Sequence, residues 1–155
     1  MKHLIAGLLI AGCGLAGAAQ AESHMSNEDL MKAVKARQAT MQLYAFNLGT
    51  LGAMAKGDIE YDVDAAQAAA GNIVKLSSQN QMAYWPAGSA QGQVEGTRAL
   101  PAMWDNMSDA AAKGGALVEA AMAAEAATDL AGLQAAMAGL GGACGACHKA
   151  YRAPN

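Results

Sequence analysis

The chain has 155 residues, 54% hydrophobic and 15% charged, with 10 basic and 13 acidic side chains. That length suits one domain rather than a multidomain enzyme, and a net charge of −3 leaves no basic surplus to neutralise nucleic-acid phosphates. Three prolines and 5% aromatics weigh against a small β-sandwich, and three cysteines are too few for a disulfide scaffold.

Lys2 and His3 open the chain, an uncharged run follows from Leu4 to Ala18, and Ala19-Gln20-Ala21 has the A-x-A form of a cleavage site. Residues 1–21 are therefore expected to be a signal peptide removed on export, with 22–155 as the mature domain. The apolar run, about 15 residues, is short of the ~20 that a membrane-spanning helix needs. A second reading takes Ile10-Ala11-Gly12-Cys13 as a lipobox with Cys13 lipidated, although about nine apolar residues before Cys13 make a short hydrophobic region. No other long apolar run stands out, so the mature chain reads as soluble. It holds 134 residues, with 9 basic and 13 acidic side chains.

Ser26 followed by Asp29 resembles a capping box opening the first helix. Leu30, Val34, Met41, Leu48 and Leu51 follow on a helical stripe that ends around Gly57. Asp58 to Asp64 is acidic and turn-like. Asp62 or Asp64 can cap a second helix carrying Ile73, Val74 and Leu76, with Tyr84-Trp85-Pro86-Ala87-Gly88 as its stop. A loop rich in Gly, Ser and Gln runs to about Gly96. A third helix starts between Thr97 and Pro101 and carries Met103, Trp104, Met107, Leu117, Val118 and Met122. Thr128 can cap a fourth, with Leu130, Leu133, Met137 and Leu140 on one face, running to about Arg152.

Four helices of 20 or more residues describe an all-α, up-down antiparallel four-helix bundle. The mature chain has 34 alanines and only seven aromatic side chains. Such a composition makes good helices and a thin core. A large flat cofactor would fill the space between them.

Cys144-Gly145-Ala146-Cys147-His148 carries the chemistry. C-x-x-C-H is the attachment motif for c-type haem. Thiols at i and i+3 share one side of a helical turn, so both can add to the vinyl groups of one porphyrin, and His148 then places an imidazole under the iron. Three other readings compete. One is a Cys144–Cys147 disulfide. Another is a redox pair, which would want a βαβ context. The third is a zinc site using both cysteines, His24 and His148. Only seven residues follow His148, and none is Met or His, so a sixth iron ligand comes from upstream or is missing. No paired carboxylates or catalytic triad appear, so ligand binding or electron transfer is expected rather than enzymatic catalysis.

A haem motif near the end of the fourth helix of an exported bundle resembles the class II cytochromes c, and cytochrome c′ in particular. The run Cys144 to Arg152 is close to that family's signature. Arg37-Gln38-Ala39-Thr40-Met41, the Trp85-Pro86-Ala87-Gly88 turn and the Met103-Trp104 step are similar to the family in a supporting way. The resemblance implies one covalent haem c, held by Cys144 and Cys147, with His148 as axial iron ligand and Arg152 near its imidazole. It places Arg37 and Gln38 at the haem edge and propionates, and Thr97 more loosely at the same edge. Trp85 either lines the distal pocket or anchors its loop to the core. Met41 corresponds to the residue over the distal face. If it only covers the iron, the iron is five-coordinate and high-spin and takes NO or CO. If its sulfur bonds the iron, the protein is a low-spin electron carrier with His148/Met41 ligation. The resemblance also implies a periplasmic location, an unidentified redox partner, protection against nitrosative stress and a homodimer built on the first two helices. Leu43, Phe46, Leu48 and Leu51 supply enough apolar surface for two faces of helix one.

Overall fold

The computed structural model describes residues 25–154; the leader, its cleavage site, Cys13 and His24 lie outside them. Five helices are present: α1 (Asn27–Lys56), α2 (Val63–Ser77), α3 (Ala102–Asp105), α4 (Met107–Glu125) and α5 (Leu130–Tyr151). A 3-10 turn, Met82–Tyr84, precedes α3. The described residues contain no strand, only two isolated bridges. In sequence around the bundle, α1 packs on α2, α2 on α4, α4 on α5 and α5 on α1. Gln134 at the start of α5 donates to Ala55 at the end of α1, and Gln67 near the start of α2 donates to Ala127 beyond α4. All neighbours are therefore antiparallel, and α3 is a short lead-in to the third bundle helix.

The caps explain the boundaries. The Ser26 hydroxyl accepts from Asp29 N at 3.2 Å. Gly57, at φ 79°, closes α1 by donating back to Ala53 and Met54, a left-handed geometry that a Cβ would oppose. Asp62 caps α2, accepting from Ala65 N at 2.8 Å.

Three boundaries differ from the sequence expectation. Helix α2 stops at Ser77, well before Pro86, and has 15 residues rather than 20 or more. Ser77 Oγ donates to Ile73 O, and Gln81 Nε2 donates to Leu76 O, so polar side chains take over carbonyls that another helical turn would need. The third helix breaks at Asn106 (φ −135°, ψ 49°), leaving four residues in α3 and 19 in α4. Asparagine tolerates such a step better than most residues, and Trp104 is tied to the preceding loop through Nε1 to Trp85 O at 3.1 Å. Asp129, not Thr128, caps α5, accepting from Gly132 N at 2.7 Å.

Leu51, Ile73, Leu133 and Leu140 are fully buried, packed with Ala66, Ala69, Ala70, Ala121 and Ala124. Burying a leucine or isoleucine side chain contributes roughly 1.5–3 kcal/mol, while the alanines let the helices approach closely. This core is lopsided. The buried residues of α2 end at Ile73, those of α4 are Ala121 and Ala124, and α5 beyond Leu140 buries only Tyr151. The other end, where α5 finishes, is closed by the segment 78–106 and by the N-terminal half of α1. Helix α5 corrects one further expectation. Its 22 residues are long and apolar enough to cross a membrane by length and composition, because a Gly/Ala-rich run holds no acidic residue and its basic ones, His148 and Lys149, come only in the last turn.

Candidate functional site

Cys144 and Cys147 lie one turn apart on α5, half-buried and unoxidised. Burial pushes both thiols above the usual cysteine range. His148 follows as an exposed residue whose ring is still partly withdrawn from water. Its basicity is lowered first by burial, then by the positive charges of Arg152 and Arg98. Arg152 Nη1 stands 3.4 Å from His148 Nδ1. Nδ1 is thus the nitrogen beside the guanidinium, and Nε2 is the one left to hold a metal.

The end of α5 is tied down on two sides. Leu100 N donates to Tyr151 O and Ala153 N to Arg98 O, both at 2.9 Å. Arg98 Nε returns a bond to Ala153 O at 3.0 Å. On the opposite side, the Tyr151 hydroxyl donates to the Asp109 carboxylate in the first turn of α4, and Lys113 Nζ lies 3.4 Å from the same carboxylate. The bond pushes the Tyr151 phenol up to about 12 and holds Asp109 below the usual carboxylate range. The helix that carries the motif is therefore fixed at its last turn by α4 on one side and by residues 98–100 on the other.

Helix α1 contributes a second group of residues. Arg37 is 3% exposed. Its Nη1 donates to Ser89 Oγ at 2.7 Å and Tyr84 O at 3.2 Å. Its Nη2 donates to Ser89 O at 2.5 Å and Thr97 Oγ1 at 2.7 Å. The guanidinium carbon sits 4.7 Å from the Trp85 ring centre and 5.8 Å from that of Trp104. The two indoles meet edge to face at 6.2 Å. Burial lowers the Arg37 pKa to about 10, which still leaves it charged at neutral pH. Gln38 Nε2 donates to Gly96 O at 2.5 Å. Arg37 and Gln38 thus reach different parts of one loop, whose turns use Gly88 and Gly96 at positive φ.

The sequence-expected residues fall into two groups. Arg37, Trp85 and Thr97 meet in one cluster, with Gln38 beside it; Cys144, Cys147, His148 and Arg152 form the other. Met41 lies on α1 between Arg37 and Tyr44, one turn from each, and is 39% exposed. Tyr44 was not singled out from sequence. Its phenol accepts from Gln81 Nε2 at 3.0 Å, and its pKa is raised by burial and, more weakly, by the nearby Cys144 thiol. Its spacing of three from Met41 is the signal that could have found it. Ser89, which is fully buried, and Asp109 had no such signal.

The residues fit a c-type haem. None of residues 141–150 is buried, and a methyl group built on Gly141, Gly142 or Gly145 meets no heavy atom within 4 Å. A flat ring can approach this stretch of backbone closely while the two thiols hold it. Cys144 and Cys147 would form the thioethers and His148 would bind the iron. The zinc reading finds no support, because among the described residues no three His, Cys, Asp or Glu side chains converge.

Comparison with known proteins agrees. A family profile described as Cytochrome C′ matches residues 32–152. A cytochrome c-554 from Cereibacter sphaeroides is 45% identical over 121 residues, covering 77% of this chain and 91% of that protein. A cytochrome c′ from the same species is 33% identical over 127 residues, covering 82% and 80%. The solved structure of a cytochrome c′ from Rhodobacter Spheriodes superposes with a TM-score of 0.76 at 35% identity, over 81% of this chain and 98% of that one. A nitric oxide complex of a mutant cytochrome c prime from Alcaligenes xylosoxidans gives 0.70 at 30% identity, over 81% and 97%.

Proposed function

The chain belongs to the cytochrome c′ family and carries covalent haem c, and on that premise we propose that it is a periplasmic gas-binding protein whose distal face is covered, and not ligated, by Met41. When bound, the haem supplies an iron that takes a diatomic ligand and cycles a single electron. His148 would bind that iron through Nε2, with the Arg152 guanidinium lying beside Nδ1 as a positive charge next to the ligand. Met41 is the gate. Its unbranched side chain has three rotatable bonds, and at 39% exposure it is not locked into the core. It can swing aside for NO or CO, and the work of moving it sets affinity. This partial exposure is the observation that carries the reading. The solved nitric oxide complex of a similar protein supports it. Binding of this kind buffers nitric oxide and protects against nitrosative stress, with one-electron exchange as a second capacity.

Export by cleavage of residues 1–21 belongs to the same proposal, since attachment of haem c takes place outside the bacterial cytoplasm. So does a homodimer. Phe46 is 74% exposed and Leu43 is 49% exposed on α1, while Leu51 on the inner face is fully buried. Helix α1 thus presents two apolar faces, one to the core and one outward.

A second reading is favoured by the order of the identities: 45% to the protein named cytochrome c-554 against 33% to the one named cytochrome c′. In it the Met41 thioether bonds the iron and the protein is an electron carrier. Absorption spectra of the reduced protein with and without CO decide. A high-spin spectrum that shifts on CO addition supports the gate. A six-coordinate low-spin spectrum indifferent to CO rejects it in favour of ligation.

A further inference from the structure

Tyr151 is a buried phenol beside the haem motif that the proposed function does not use. The residue is 7% exposed, and its hydroxyl donates to the Asp109 carboxylate on α4. Lys113 Nζ, also on α4, lies 3.4 Å from that carboxylate. A hydrogen bond to an ionised acceptor is roughly twice as strong as one between neutral groups. Cys147 and Tyr151 are four residues apart and so share one face of α5. That face looks at α4: besides the burial that raises it, the Cys147 thiol feels the charges of Lys113 and Asp109. The backbone of Tyr151 is tied the other way, its carbonyl accepting from Leu100 N at 2.9 Å. Ties to residues 98–100 alone hold the end of α5 in place but leave it able to turn about its own axis. The hydroxyl bond on the opposite side removes that freedom. His148 lies in the same turn, so a rotation fixed at Tyr151 is fixed for the imidazole as well.

We infer that Tyr151 and Asp109 are positioning residues for the axial ligand: their bond sets the rotation of the last turn of α5 and, through it, the orientation of the His148 imidazole on the iron. The inference rests on His148 as the axial ligand and is independent of whether Met41 covers or ligates the iron. The direction of the imidazole plane decides which iron d orbitals its π electrons meet, so one fixed orientation gives one set of ferric g values. A turn that can rotate gives a second set. Asp109 acts here as a well-placed acceptor and not as a charge. Asparagine keeps an acceptor oxygen at that point, whereas phenylalanine at position 151 keeps the ring and loses the donor.

The test is the electron paramagnetic resonance spectrum of the purified ferric holoprotein, which reports axial-ligand geometry in high-spin and low-spin haem alike. Haem content is checked by mass and helix content by circular dichroism. Loss of one hydrogen bond of this kind changes a two-state balance about tenfold. In Tyr151→Phe a second set of g values is therefore expected to grow from under ~1% of the spins to about 10%. Asp109→Ala is expected to do the same, and Asp109→Asn to keep the parental spectrum. The Tyr151→Phe/Asp109→Ala double variant should go no further than either single change, because both remove one bond. Tyr151→Phe leaves the ring packing intact and the Asp109 side chain is half-exposed, so both single variants are expected to fold. A parental spectrum in either of them overturns the inference. So does an Asp109→Asn spectrum that matches Asp109→Ala, which would assign the effect to charge. Electron–nuclear double resonance of the parent reads the nitrogen couplings of the bound imidazole. Their absence would sink the ligand assignment itself, so the two failures are told apart.

Discussion

Leu140→Ala tests the account of how the bundle holds its prosthetic group. Leu140 is fully buried on α5, one turn before Cys144, and belongs to the cluster that includes Ala121 and Ala124. The substitution removes three carbons. Leucine-to-alanine changes in cores cost about 2–5 kcal/mol, more where the surroundings cannot collapse into the hole. Alanine neighbours have no side-chain length with which to fill it, so the cost belongs in the upper half, about 3–5 kcal/mol. For a domain near 150 residues each kcal/mol moves the melting temperature by roughly 2–4 °C, so a fall of about 6–20 °C is expected. The assay is urea unfolding of the holoprotein followed by circular dichroism, with haem content measured alongside. Haem content should stay at the parental level, because Cys144, Cys147 and His148 are untouched. Leu43→Ala, at a position 49% exposed, should change monomer stability by no more than about 0.5 kcal/mol. A loss below about 1.5 kcal/mol in Leu140→Ala would refute the reasoning, since it would place the supporting core elsewhere.

Other outcomes follow from the same geometry. The Tyr151 phenol is raised to about 12 by its bond to Asp109. The unfolded chain loses that proton first, so the bond's contribution is complete below about pH 10 and fades as pH rises toward 12; denaturation curves at pH 8 and pH 11 should converge on each other in Tyr151→Phe. Asp109 is held low by the same bond, so its contribution is present above its ordinary value of 3.8 and is lost as pH falls below it. Gly71→Ala places a Cβ 2.6 Å from Glu125 Oε1, but that atom ends a flexible, exposed side chain. Removing a mid-helix glycine should therefore stabilise the chain by up to about 1 kcal/mol, read from thermal melts. Phe46→Glu sets a charge on the outward face of α1 and should give monomers in sedimentation velocity; an unchanged dimer would place the interface on another face.

Much of the bundle is legible from local signals. Ser26, Gly57 and Asp62 each act within four residues of themselves, and the structure uses each as a cap. Thr128 and Asp129 are both cap residues on paper, aspartate the better of the two; which one leaves the helical path depends on how α4 hands over to α5. The break at Asn106 had no sequence signal, because it follows from where the loop fixes Trp104. At the site, the attachment motif is legible because its chemistry depends on spacing alone. Arg37 is not legible in the same way. Its partners lie 47 to 60 residues away, and two of them are backbone oxygens that every residue possesses. Trp85, placed either at the pocket or at the loop anchor from sequence, packs on Arg37 and Trp104.

The lopsided packing has a consequence for how the mature pigment is made. Leu51, Ile73 and Leu133 gather the helices at the end remote from the motif, and nothing in that gathering depends on the porphyrin. That half of the molecule supplies its own apolar support, while the two sulfhydryls beside it stay half-open to whatever is joined to them.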